Sequence, residues 1–304
     1  QAQGRSPSRP TRRLVLSSMA ADESLLKAPS WRNHYSKAEL AFGQRLSRID
    51  FVGIPVFIAW YFVLALCLGR ETPEPVVKPP LPVIILQGLI SVVAILIFLG
   101  HTQTLPPNST DAIFHAMRYI GRWLFLTRHC LSLQAVHMVT SLLASLLDAP
   151  RLAALTNGMT LFVGCLGCYV TVQYFALVHY HPDIVAKCKL VRARDPPYYL
   201  REILTVLHAP AIFLSLLDVG VAKNHTALHT QCCVIATLLM ALAYTLFYLA
   251  LMSINFRATQ HWPYAILGEI KTARAWLFFV IAQFGLLCIF VLAMWGVSLL
   301  PGVW

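Results

Sequence analysis

Ala275–Leu300 reads AWLFFVIAQFGLLCIFVLAMWGVSLL, an apolar run without one charged side chain. A helix crosses the hydrocarbon core of a bilayer with about 20 such residues, so this stretch places the chain in a membrane. Working back from it, six more runs of the same kind appear. Thr226–Ser253 and the shorter Ile203–Val219 precede it, then Leu152–His179 and Trp123–Leu147, the last interrupted by Arg128, His129 and His137. Leu81–Gly100 follows a Pro-rich hinge at Glu74–Pro82, and Phe51–Gly69 is the first run and free of charge. The fold expected is all-α, a polytopic transmembrane helical bundle of about seven spans. Composition agrees: 58% of the 304 residues are hydrophobic and only 12% charged, where soluble domains carry about 25% charged residues.

The net charge of +11 would suit a nucleic-acid or anionic-lipid partner, but its distribution points to membrane orientation. With the N-terminus on one side and the side alternating at each span, 20 of the 24 Lys and Arg fall on the N-terminal side. A wrong span count would scramble that segregation, and the positive-inside rule accounts for it. No nucleic-acid partner is expected. Gln1–Ala20 is rich in Arg and Ser and has no acid, which is the composition of a mitochondrial presequence remnant or of a basic tail. The chain starts at Gln, so processing or truncation at its start is expected. Ser36-x-x-Glu39 is a capping-box signature opening a helix with Leu40, Phe42 and Leu46, expected to lie on the bilayer surface. The organisation read from this is a basic extension over 1–50, a first span over 51–69 and a six-span unit over 81–304.

The chemistry has to come from polar groups inside spans, which are costly there and need a cavity or partner. Counting inward at 1.5 Å per residue, Thr127, His129, His179, His181 and His208 share one depth on the N-terminal side. His137 lies about 15 Å deeper than Thr127. Three uses of this layer stand open: a Thr nucleophile with a His base, a haem or metal held by facing histidines, or histidines that satisfy backbone kinks such as His208-Ala209-Pro210. The Cys165-x-x-Cys168 pair lies mid-span without a second pair, so neither metal nor cofactor is expected. Asn108-Ser109-Thr110 and Asn224-His225-Thr226 match the glycosylation sequon, a motif common by chance. There is no phosphate loop, Gly-x-Ser-x-Gly elbow or His-Glu-x-x-His. Carboxylates within spans are nearly absent apart from Asp218, which argues against an ion pump.

Gly121-Arg122-Trp123-Leu124-Phe125-Leu126-Thr127, followed by Leu133-Gln134-Ala135-Val136, resembles the start of the second span in the androgen-induced membrane protein family. That family includes the androgen-dependent regulator of tissue factor pathway inhibitor. Its six-span members are intramembrane hydrolases of fatty acid esters of hydroxy fatty acids, with a Thr nucleophile and a His. The resemblance covers Leu81–Leu300 and implies that Thr127 and His208 are catalytic, with Asp218 at the place of the family's acid. Tyr244 and His261-Trp262-Pro263-Tyr264 are similar to family segments near the last two spans. The chain departs from the family's Asn-His-x-x-His-Thr motif, showing Leu204-Thr205-Val206-Leu207-His208-Ala209 instead. His225 and His229 are the other candidates, and parity puts them on the side opposite Thr127.

Two functions follow as expectations. The first is an accessory subunit of a large mitochondrial inner-membrane assembly, of the respiratory chain or ATP synthase, with its N-terminus in the matrix and vestigial activity. The second is an active lipid-ester hydrolase, with the endoplasmic reticulum and a cytosolic N-terminus as the alternative membrane. Membrane lipids and other membrane subunits are the partners expected. Arg128, His129, His179 and His181 are the residues expected to bind substrate.

Overall fold

The computed structural model describes residues 37–68, 78–102, 112–182, 184–186, 188–189 and 200–300. Among them, seven helices are long and apolar enough to cross a membrane, and no strand occurs. In chain order the helices are α1 (Lys37–Leu68), α2 (Leu81–Thr102), the short α3 (Ala112–Ala116), α4 (Leu126–Leu146) and α5 (Pro150–Gln173). Then come α6 (Leu200–His208), α7 (Pro210–Leu217), α8 (His225–Gln231), α9 (Val234–Thr259), α10 (Ala265–Glu269) and α11 (Ala273–Ser298). The segment expected to be a presequence remnant, Ser36 of the capping box and the first sequon lie outside the described residues.

Burial sorts the spans. In α4, 72% of the most apolar window is buried inside the protein, against 17% in α11. The central helices are therefore the ones whose polar residues broke the apolar pattern, while α11 turns Leu277, Phe278 and Ile281 outward. This is the order a bilayer imposes: polar side chains go to the protein interior and the apolar surface goes to lipid. The main core joins Tyr61, Leu64 and Leu68 of α1 with Cys130 and Leu133 of α4 and Phe162, Cys165 and Leu166 of α5.

The helix expected before the first span and that span itself form one continuous helix, α1. Nothing between Asp50 and Phe51 breaks the helix, and Pro55 is accommodated inside it at the loss of one backbone bond. Phe42 and Leu46 do not need the bilayer surface because Met117 packs against them, with Ile113 and Phe114 alongside. Gly53 supplies a notch for the Trp123 ring, which a Cβ at that position would overlap.

The fifth crossing is broken at Ala209-Pro210, between α6 and α7. Pro210 has no N–H to give, and neighbouring helices serve the carbonyls around the break. Thr171 Oγ1 donates to the His208 carbonyl at 2.8 Å, and Gln134 Nε2 donates to the Ala211 carbonyl at 2.8 Å and to Ser215 Oγ at 3.0 Å. Gly167 lets α5 close on this junction, for its missing Cβ leaves the space that Ser215 Oγ, Gln134 Nε2 and the Ala211 carbonyl occupy. The break is thereby pinned, and it fixes the position of His208.

Candidate active site

Thr127 is the second residue of α4, and its first-turn N–H has no carbonyl four residues back within that helix. Thr127 is 8% exposed. Its Oγ1 lies 3.1 Å from His208 Nε2. The other ring nitrogen, Nδ1, lies 2.6 Å from the Leu204 carbonyl, which only accepts, so Nδ1 carries the proton. Nε2 of the neutral ring is then the acceptor, facing the Thr127 hydroxyl. The His208 ring stacks on Tyr174 with centroids 4.1 Å apart and a 12° interplanar angle. A base oriented by a third group, within reach of a hydroxyl, is the arrangement needed for nucleophilic catalysis.

The turn before Thr127 is held by two tyrosines. Tyr248 Oη donates to the Leu124 carbonyl at 2.9 Å and accepts from Leu126 N–H at 3.0 Å; Tyr264 Oη reaches the same N–H at 3.2 Å. Burial pushes the Tyr264 hydroxyl above its ordinary pKa, so it stays protonated. Tyr248 gave no signal in the sequence, being one aromatic among many in an apolar helix.

The remaining expected residues separate. His129 is a packing residue: Nε2 donates to the Trp123 carbonyl at 2.6 Å, and Nδ1 faces Tyr244 Oη at 2.8 Å. Neither nitrogen is left for substrate. His179 stands one contact back from His208, its Nδ1 3.0 Å from Tyr174 Oη. His181 is half-buried just beyond it, its N–H bonded to the Val178 carbonyl. Arg128 is fully buried; Nη1 donates to the Phe98 carbonyl at 3.2 Å, and the guanidinium lies 4.0 Å from the Phe98 ring centroid. Arg122 pairs with Asp50 at 2.5 Å, and Arg128 Nη2 lies 3.8 Å from the same carboxylate. His101, beyond the end of the second span expected from the sequence, is a buried residue in the last turn of α2.

Asp218 does not orient His208. It lies 2.9 Å from His137 Nε2, and His137 Nδ1 faces Tyr61 Oη of α1 at 3.1 Å. That corrects the role the resemblance implied: the Leu204 carbonyl, not a carboxylate, fixes the His208 ring. His225 and His229 are both bonded to carbonyls of the last helix end, Leu300 and Ser298, far along the chain from Thr127. Among the described residues no three His, Cys, Asp or Glu side chains converge as a metal site.

A family model described as FAR-17a/AIG1-like protein matches residues 81–297. The chain belongs to the FAR-17a/AIG1-like family. This is the androgen-induced family that the Phe125-Leu126-Thr127 segment resembles. The FAR-17a/AIG1-like region opens at the first residue of α2 and closes within α11, so α1 is an addition to it. Family membership makes this a membrane hydrolase-like protein. No curated protein and no solved structure matches the chain.

Proposed function

We propose that the chain is an active intramembrane hydrolase of lipid esters. The observation that carries it is the 3.1 Å approach of Thr127 Oγ1 to a His208 Nε2 left free to accept a proton by the bond from Nδ1 to the Leu204 carbonyl. Thr127 Oγ1 attacks the ester carbonyl carbon while its proton passes to Nε2. The oxyanion forms at the N-terminal end of α4, where the Thr127 N–H and the helix dipole favour negative charge. Collapse of the tetrahedral intermediate breaks the ester C–O bond, and the imidazolium returns the proton to the departing alkoxide, releasing an alcohol. Water then gives a proton to Nε2 and attacks the acyl-threonine. A second collapse, with that proton returned to Thr127, frees the carboxylic acid.

The substrate class implied by the family is a fatty acid ester of a hydroxy fatty acid. In this reading Arg128 draws the carboxylate end, and His179 acts only through Tyr174. Purified Thr127→Ala and His208→Ala should each lose turnover of such an ester, the base alone being worth roughly 10²–10⁴-fold. Wild-type rates in both variants would eliminate the proposal.

A second reading, a subunit of a larger mitochondrial inner-membrane assembly, is supported by the acid-free Arg/Ser composition of Gln1–Ala20. Recovery of the protein inside a complex, with cross-links from Gln1–Asp50 to other chains, would support it. A solitary protein without such cross-links would count against it.

A further inference from the structure

We propose that a cleft at the far end of the bundle from Thr127 binds a phosphate ester, the headgroup of a glycerophospholipid, on the ammonium of Lys223. The cleft encloses about 500 Å³, the open space at its mouth included. It forms where the start of α2, the end of α4, the start of α5 and the link from α7 to α8 meet. Along α4, Ser141 of this cleft is about 21 Å from Thr127, so the two sites are separate. Gln87 and Asn157 line it about 9–11 Å from the starts of α2 and α5. That depth spans the headgroup layer, roughly 5–8 Å thick on each side of a bilayer.

Lys223 lines the cleft yet is only 4% exposed. Its Nζ donates to Ser141 Oγ at 2.7 Å, which occupies one of the three N–H donors of an ammonium. Among the described residues no carboxylate forms an ion pair with it. Asp218, five residues earlier, gives Oδ2 to His137 Nε2 and does not line the cleft. Asp148 lines it from the exposed rim, and Lys78 stands exposed at the same mouth. A buried ammonium without an anion is costly, and phosphate oxygens answer its remaining donors. The start of α5 favours the same charge. Ala149 supplies no side-chain cap, Pro150 has no N–H, and the helix behind them runs for 24 residues, so its first-turn N–H groups and dipole attract an anion. Gln87 is 3% exposed and donates Nε2 to the Ala222 carbonyl at 3.0 Å, while its Oε1 has no partner among the described residues. That oxygen is an acceptor for a headgroup hydroxyl, as glycerol carries. Leu81, Leu146 and Leu147, near the mouth in the chain, are exposed and offer acyl chains an apolar path, which favours a lipid over a free phosphate ester.

The test is binding of dihexanoyl phosphatidylglycerol to the purified full chain by titration calorimetry. Dihexanoylglycerol is the control without phosphate, and glycerol phosphate the control without acyl chains. Wild type should bind the phospholipid and not the diacylglycerol. Lys223→Met should weaken binding at least about tenfold, the worth of a hydrogen bond to a charged group. Ala153→Phe, which fills the cleft from α5 and alters no charge, should weaken it by a similar factor while melting like wild type. Lys78→Met at the exposed mouth should cost less than about fivefold. Equal binding of the diacylglycerol by wild type, or wild-type affinity in Ala153→Phe or in a folded Lys223→Met, would overturn the proposal. Glycerol phosphate bound as tightly as the phospholipid would overturn the lipid assignment and make the ligand a soluble phosphate ester. Absence of ester turnover would sink the hydrolase reading and leave this site standing; turnover without phosphate-dependent binding would do the reverse.

Discussion

Gly167→Ala tests whether the pinned break between α6 and α7 sets the geometry of the site. A Cβ on Gly167 would lie 2.5 Å from Gln134 Nε2 and 2.7 Å from the Ala211 carbonyl oxygen, and would overlap Ser215 Oγ. The two side chains can turn away, which gives up the Gln134 bonds to Ala211 and Ser215. The carbonyl is backbone, and ordinary contact begins at 3.4 Å. The start of α7 must therefore retreat by about 0.7 Å, the difference of those two distances, because packed interiors hold no slack. Overpacking of this kind costs about 1–3 kcal/mol, and the two lost Gln134 hydrogen bonds add roughly 1 kcal/mol each, for a total of about 3–5 kcal/mol. His208 ends α6 two residues before Pro210, so the retreat displaces the base from Thr127. A misplacement near 1 Å costs on the order of 10²-fold in rate, so turnover should fall by roughly 10- to 100-fold. The assay is thermal unfolding in detergent together with ester turnover. Gly88→Ala, whose Cβ meets nothing within 4 Å, should change neither. A Gly167→Ala protein that melts and turns over like wild type would refute the argument that this junction places the base.

Three further outcomes follow from the same contacts. Asp50→Ala leaves Arg122 and Arg128 without their carboxylate and should cost about 3–5 kcal/mol of stability; Arg122→Met added to it should recover part of that loss in chemical denaturation. Gly53→Leu drives a side chain into the Trp123 ring, so it should undock the upper half of α1 and make the peptide bonds around Asp50 newly sensitive to protease. Tyr248→Phe removes a donor to the Leu124 carbonyl and an acceptor for Leu126 N–H. It should cost about 0.5–1.5 kcal/mol, with turnover falling more than in Tyr264→Phe, since Tyr264 shares only the Leu126 contact.

The crossings were legible because hydropathy is a property of composition alone, and alternation of sides followed from their number. That was enough to put Thr127 and His208 at one depth. What it could not supply is rotation about each helix axis, which packing sets. His129 and Arg128 are neighbours of Thr127 in the chain, yet one is bonded to Trp123 and Tyr244 and the other lies over Phe98. Asp218 stands at the place of the family's acid, which implied a partnership with His208; in the bundle it faces His137 of α4 instead. Asp50 fell at the edge of an expected span, where a carboxylate needs no explanation. Its burial between two arginines appears only once Lys37–Leu68 is seen to be one helix. The π-wound end of the fourth crossing, Tyr174–His179, was also invisible, although it aims Tyr174 at the His208 ring.

The most direct measurement is the site of covalent capture by an electrophile that reacts with activated hydroxyls. Purified protein treated with an alkyl fluorophosphonate and digested should carry the phosphonyl adduct on Thr127. Labelling should disappear in Thr127→Ala and fall by roughly 10²-fold or more in His208→Ala, as expected when the general base is removed. Ester hydrolysis by a protein whose Thr127 stays unmodified, or an adduct on another residue that tracks the activity, would contradict the assignment of Thr127 and His208 as nucleophile and base.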